Sequence, residues 1–215
     1  AHGYRTKPLT NMPVQFALFY NEGFNLLCFD QRAHWESGGS FSGFGILEQY
    51  DLMEWVSWVL ANTQTEEVLI YGTSMGCVAT GFASDKLDST KVKAIVMDCG
   101  YSSVYNQFYK ECKAKRMPAR LMMPIIRLLA KLFIKQDIKT PVASSLKESR
   151  IPAFFLHGTK DETVPFSFTQ ETFAAHGADK ELALVDGANH TLALIVGGDE
   201  VKNKMLSFIG KYFTV

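Results

Sequence analysis

Val68-Leu69-Ile70-Tyr71-Gly72-Thr73-Ser74-Met75-Gly76-Cys77 runs from four apolar or aromatic residues straight into a Gly-x-Ser-x-Gly turn. The run reads as a buried strand that delivers a serine nucleophile. A strand that reverses at once into a helix holds its central residue in a strained backbone conformation. Bulky side chains two positions to either side would collide, which is why both positions are glycine. The residues after Ser74 are small and apolar, so a helix can begin directly behind it. The first N–H groups of such a helix have no partner within it and point toward the surroundings of the serine oxygen.

Upstream, Asn11-Met12-Pro13 opens an apolar-periodic run closed by Gly23, the order of signals for a helix. Residues 24–30 form a short, nearly continuous apolar run, the pattern of a strand buried on both faces of a parallel sheet. A polar, glycine-bearing loop covers 31–45. Ile46, Tyr50, Met53, Val56 and Leu60 then fall broadly on one side of a helix. Downstream of the serine turn, a helix to about Lys86 and a buried strand over 92–98 are expected. This regular alternation predicts an α/β fold with right-handed crossovers, a mostly parallel sheet and helices on both faces.

At Tyr101 the alternation breaks, and it resumes only with the strand pattern at 151–158. The intervening residues 101–150 include a helix expected over 117–135 and are predicted to form a small helical lid over the strand ends. The core would then comprise residues 1–100 and 151–215. A helix over 167–176, a strand over 181–185 and a closing helix over 200–212 complete the pattern. Ala1-His2-Gly3-Tyr4 looks like the end of a strand whose body is absent, so N-terminal strands are expected to be missing and the intact protein to be longer.

Composition narrows the function classes. The chain has 215 residues, 47% of them hydrophobic, enough for one domain with a sizeable core. Lys plus Arg equal Asp plus Glu at 22 each, so nothing global suggests a nucleic-acid partner. Cys28, Cys77, Cys99 and Cys112 show neither a C-x-x-C pair nor histidine spacing for zinc, and they read as buried free thiols. That reading points to a reducing compartment, hence a cytoplasmic setting. No metal or organic cofactor is implied.

A serine hydroxyl needs a base within hydrogen-bond reach and a third group to hold that base. Of five histidines, His190 ends a loop immediately after a strand, on the edge where parallel sheets place their ligands. His157 and His176 read as satisfied structural histidines. Asp161, in the loop after the strand at 151–158, is the favoured acid. Asp98, at the end of the strand after the nucleophile helix, is its competitor.

The order Ser74, Asp161, His190, each in a loop after a strand, resembles the α/β-hydrolase superfamily. His2-Gly3-Tyr4 resembles that family's first oxyanion loop, Phe29-Asp30-Gln31-Arg32-Ala33-His34-Trp35-Glu36-Ser37-Gly38 its Asp-x-Arg-Gly-His-Gly-x-Ser loop, and residues 161–165 its acid loop. The resemblance implies that the backbone N–H groups of Tyr4 and Met75 form the oxyanion hole. It also implies a serine esterase acting on a small-molecule ester, while a peptidase, a thioesterase or an inactive binding protein would share the same frame. Ala33 and Trp35 stand where the family loop carries glycines, and Cys77 where a third glycine is frequent.

The lid region also carries a local charge. Lys110, Lys113, Lys115, Arg116, Arg120, Arg127, Lys131 and Lys135 face the single acid Glu111, interleaved with Leu121, Met122, Ile125, Ile126, Leu129, Leu132 and Phe133. The plain expectation is a helix with its apolar side on the core and its cations in water. The alternative is attraction to an anionic substrate or a membrane surface. An apolar lid favours an ester with an apolar acyl part.

Overall fold

In the computed structural model, which describes residues 1–213, the chain forms helices α1 (Pro8–Asn11), α2 (Pro13–Asn21) and α3 (Glu48–Asn62). Strand β1 (Val68–Thr73) follows, then α4 (Met75–Ala83) and β2 (Val92–Asp98). Helices α5 (Val104–Ala114), α6 (Ala119–Ile134) and α7 (Val142–Glu148) lead to β3 (Ala153–Gly158), α8 (Phe166–Ala175) and β4 (Lys180–Val185). The chain closes with α9 (Ala193–Val196) and α10 (Gly198–Ile209). The four strands make one parallel sheet in sequence order. Its register sets Thr73 beside Asp98 and Gly158 beside Val185, so the loops that follow all four strands share one edge.

Alternate residues of the central strands serve opposite faces. Ile95, Met97 and Phe155 join one core with Val78, Phe82 and Leu146. Val96, Phe154 and Leu156 join the other with Phe19, Met205 and Phe208. Burial on both faces is why these strands are continuous apolar runs in the sequence. Phe154 and Phe155 are fully enclosed, and truncating either to alanine would cost about 3–5 kcal/mol.

The apolar run 24–30 is the exception, and the expectation of a strand there is corrected. These residues form no strand, and Leu26, Leu27 and Cys28 are exposed. A groove of about 730 Å³ separates this segment from β1, lined by Phe24, Phe29, Trp55, Trp58 and residues 68–71. With a groove where a neighbouring strand would lie, the segment has no backbone edge to pair with. It is held by side chains, Phe29 stacking on Trp55 and Phe24 edge-on to Phe19. The same misreading accounts for Cys28, whereas Cys77, Cys99 and Cys112 are buried and free.

Between β2 and β3, α7 packs on α4 and α8 while α5 and α6 pack on each other. The expectation that α6 turns its whole apolar side to the core is also corrected. Ala119, Met123 and Ile134 are buried, but Leu121, Ile125, Leu128, Leu132 and Phe133 lie in solvent. Among the described residues, no helix is long and apolar enough to cross a membrane.

Candidate active site

Ser74 sits between β1 and α4 with φ 54° and ψ −113°, a conformation that costs a non-glycine residue about 1–3 kcal/mol. Its N–H donates to the carbonyl of Asp98 at 2.8 Å, which fixes the turn to the neighbouring strand. The flanking glycines are required by contact. A Cβ on Gly72 would lie 2.5 Å from the Gly76 carbonyl oxygen, and one on Gly76 would lie 2.2 Å from the Ala1 carbonyl oxygen. Glycine at 72 therefore lets the turn close, and glycine at 76 lets residue 1 pass beside it.

The loops after β1, β3 and β4 bring three expected residues together. Nε2 of His190 lies 2.9 Å from Ser74 Oγ, and its Nδ1 lies 2.6 Å from Asp161 Oδ2. Since Nδ1 faces a carboxylate, that nitrogen carries the proton, which leaves Nε2 to accept from the serine hydroxyl. Asp161 has a fully buried side chain, and its Oδ1 accepts from the N–H groups of Thr163 and Val164 at 2.9 and 2.8 Å. Burial pushes its carboxyl up, but hydrogen bonds from His157 and His190 outweigh that and hold it well below the usual carboxylate range. It stays an anion beside the imidazole.

Asp98 does not compete for His190. Its Oδ2 accepts from the Tyr71 hydroxyl at 2.8 Å, and burial raises its carboxyl above the ordinary value. Sγ of Cys99 lies within 4.8 Å of the ligating-type atoms of Asp161 and His190. Burial raises that thiol strongly, so it keeps its proton, and the other two groups already bond each other.

The two residues expected to flank an oxyanion are Met75 and Tyr4. Met75 is the first residue of α4, where a backbone N–H has no carbonyl within its own helix. Gly3 backs onto the serine, a Cβ there lying 3.4 Å from Ser74 Cβ, and Tyr4 follows it. This N-terminal loop is tied down by two buried histidines. His2 Nε2 accepts from the Gln31 N–H at 2.9 Å, and His34 Nε2 accepts from the Arg5 N–H at 3.0 Å. Ala33 and Trp35, at the positions of the family's glycines, keep left-handed backbones with φ 57° and 46°.

His157 reads as a satisfied structural histidine, its buried ring fits that reading, and it also reaches the acid. Its Nδ1 meets Thr169 Oγ1 at 2.7 Å, while Nε2 lies 3.0 Å from the Val164 carbonyl oxygen and 3.3 Å from Asp161 Oδ2. The sequence signal was available: His157 is the penultimate residue of β3, four positions before the acid, close enough for the intervening turn to bring them together.

A parallel sheet with helices on both faces, a strained serine turn and a histidine between serine and aspartate define an α/β hydrolase. Within that class the chain belongs to the X-Pro dipeptidyl-peptidase (S15) family, whose sequence model matches residues 2–137. It is similar to YqkD of Bacillus subtilis (strain 168), 26% identical over 197 residues, and spans 89% of its own length but 64% of that relative. The fold matches the Pyrococcus furiosus esterase Pf2001 with a TM-score of 0.79 and 22% identity, covering 99% of this chain and 81% of that one. It also matches the α/β hydrolase GrgF from Penicillium sp. sh18 with a TM-score of 0.75 and 18% identity, covering 99% and 88%.

Proposed function

We propose that the protein is a serine hydrolase that cleaves a carboxylic ester through an acyl-enzyme. The observation that carries this reading is the hydrogen-bonded line from Ser74 Oγ through His190 to Asp161. Ser74 attacks the ester carbonyl as His190 Nε2 takes the hydroxyl proton. His190 then gives that proton to the departing alkoxide. Asp161 holds the ring in the required tautomer and stabilises the imidazolium. The N–H groups of Tyr4 and Met75 donate to the oxyanion, each worth roughly 3 kcal/mol of barrier. A water activated by His190 releases the acid and restores the serine.

Helices α5 and α6 act in this reading as the lid. In support, Gln107 of α5 donates to the Thr163 carbonyl in the acid loop at 2.9 Å, and Phe108 and Phe133 pack edge-on to Phe44 and Phe41. Tyr4 in turn lies against Phe44. These packed aromatic side chains suit a small-molecule ester with an apolar acyl part. Free buried thiols at Cys77, Cys99 and Cys112 favour a reducing, cytoplasmic setting.

The test is hydrolysis of p-nitrophenyl esters from acetate to palmitate by the protein and its Ser74→Ala variant. Activity lost with Ser74 and an optimum at a definite acyl length are expected. Equal activity in the variant would overturn the assignment of the nucleophile. The family match favours amide cleavage as the second reading, and turnover of Gly-Pro-p-nitroanilide with none on any ester would select it.

A further inference from the structure

Helix α6 carries more apolar surface than the core can take. At about 100° per residue, Leu121, Ile125, Leu128 and Leu132 align on one side. Met123 and Ile134, which are buried, lie roughly opposite. The four aligned side chains are 73, 61, 60 and 65% exposed, a continuous stripe of the kind that marks an interaction surface. Arg120 and Lys131 run along one flank of the stripe, and Lys135 ends it. Among the described residues, Arg116, Arg120, Lys131 and Lys135 have no carboxylate at ion-pair distance, whereas Arg127 is paired with Asp137.

We propose that the exposed face of α6 docks the protein on an anionic lipid surface, with the leucine stripe entering the headgroup boundary and the flanking cations on the phosphates. Two features of the helix select this occupant. It contains no acidic residue, so two copies packed along the stripe would bring cations together with no carboxylate to answer them. An anionic bilayer supplies negative charge and an apolar layer side by side, and a basic amphipathic helix lies in that boundary. With 16 residues and basic side chains along it, α6 lies on such a surface and does not span it. The side of the helix next to the stripe connects toward the serine site, since Phe133 meets Phe41, and the next residue, Ser42, places its hydroxyl 3.3 Å from Met75 Sδ.

Docking does not depend on the ester chemistry, so it is tested with the Ser74→Ala variant as well as the native protein. Each is sedimented with vesicles of phosphatidylcholine alone and of an equimolar mixture with phosphatidylglycerol. Both are expected to bind the mixed vesicles, less so as salt rises. Leu128→Ser with Leu132→Ser should weaken binding to either vesicle by about tenfold or more. Arg120→Gln with Lys131→Gln should weaken binding roughly tenfold on the anionic vesicles alone. The altered side chains are exposed, so thermal midpoints should stay within a few degrees and establish that the variants are folded. Absence of native binding to anionic vesicles at low salt would overturn the proposal, as would binding indifferent to both pairs of substitutions. A leucine variant that merely converts a dimer to a monomer in analytical ultracentrifugation would assign the stripe to a second copy and overturn it equally.

Discussion

Nε2 of the buried His157 lies 3.3 Å from Oδ2 of Asp161, the same oxygen that sits 2.6 Å from Nδ1 of His190. One carboxylate oxygen thus faces two imidazoles, one enclosed in the core and one open toward the serine. The core histidine joins the N–H groups of Thr163 and Val164 in setting where the acid points, and the acid faces the base.

His157→Asn should therefore reduce kcat by roughly tenfold to hundredfold with little change in KM, because a misplaced acid misaligns the base. The readout is the kcat profile against pH. A purely packing role would lower the thermal midpoint and leave the shape of that profile unmoved, whereas a positioning role changes it.

The two candidate acids separate by substitution. Asp161→Asn should cut kcat by roughly 10⁴-fold, since an amide in its place stabilises the wrong tautomer of His190. Asp98→Asn should leave kcat within about tenfold, because Asp98 bonds Tyr71 and its raised carboxyl already tolerates neutrality. Single-turnover rates on one p-nitrophenyl ester compare them directly.

Most of the sheet was legible from the chain because strands covered on both faces read as unbroken apolar runs ended by a glycine or an aspartate. The same rule failed at residues 24–30, where the composition matches and the pairing edge is lacking. Pairing is a property of the neighbour, which a local pattern does not contain. That Ser74, Asp161 and His190 would meet was legible because each follows a strand. The contact of His157 with Asp161 was not, since a buried histidine and a positioning histidine have the same sequence surroundings. In α6 the periodicity located the helix but not its orientation, because its apolar arc is wider than the side the core covers.

Ala33 offers a cleaner reading of the loop that replaces family glycines. It holds φ 57° without a glycine's freedom, a strain of about 1–2 kcal/mol, part of which glycine's greater unfolded-state entropy returns. Ala33→Gly should stabilise the protein by about 0.5–1 kcal/mol, seen as a small rise in urea midpoint at unchanged slope.

Acid should destabilise the fold before it protonates the carboxylates. Burial holds His2 and His176 down to about 4 from their ordinary 6.5. Below about 6.5 the unfolded chain takes protons that the folded one refuses. Their contribution is thus fully present above pH 6.5 and is lost as pH falls through about 4. Urea midpoints measured from pH 7.5 to 4 should fall over this window, and His176→Asn should flatten part of the slope.

The most direct test of the central claim is covalent labelling of the folded protein with a fluorophosphonate, followed by peptide mapping. The account predicts a single adduct on Ser74, lost on unfolding and strongly slowed in Asp161→Asn. A folded protein that leaves Ser74 unlabelled, or an adduct that persists undiminished in Ser74→Ala, would contradict it.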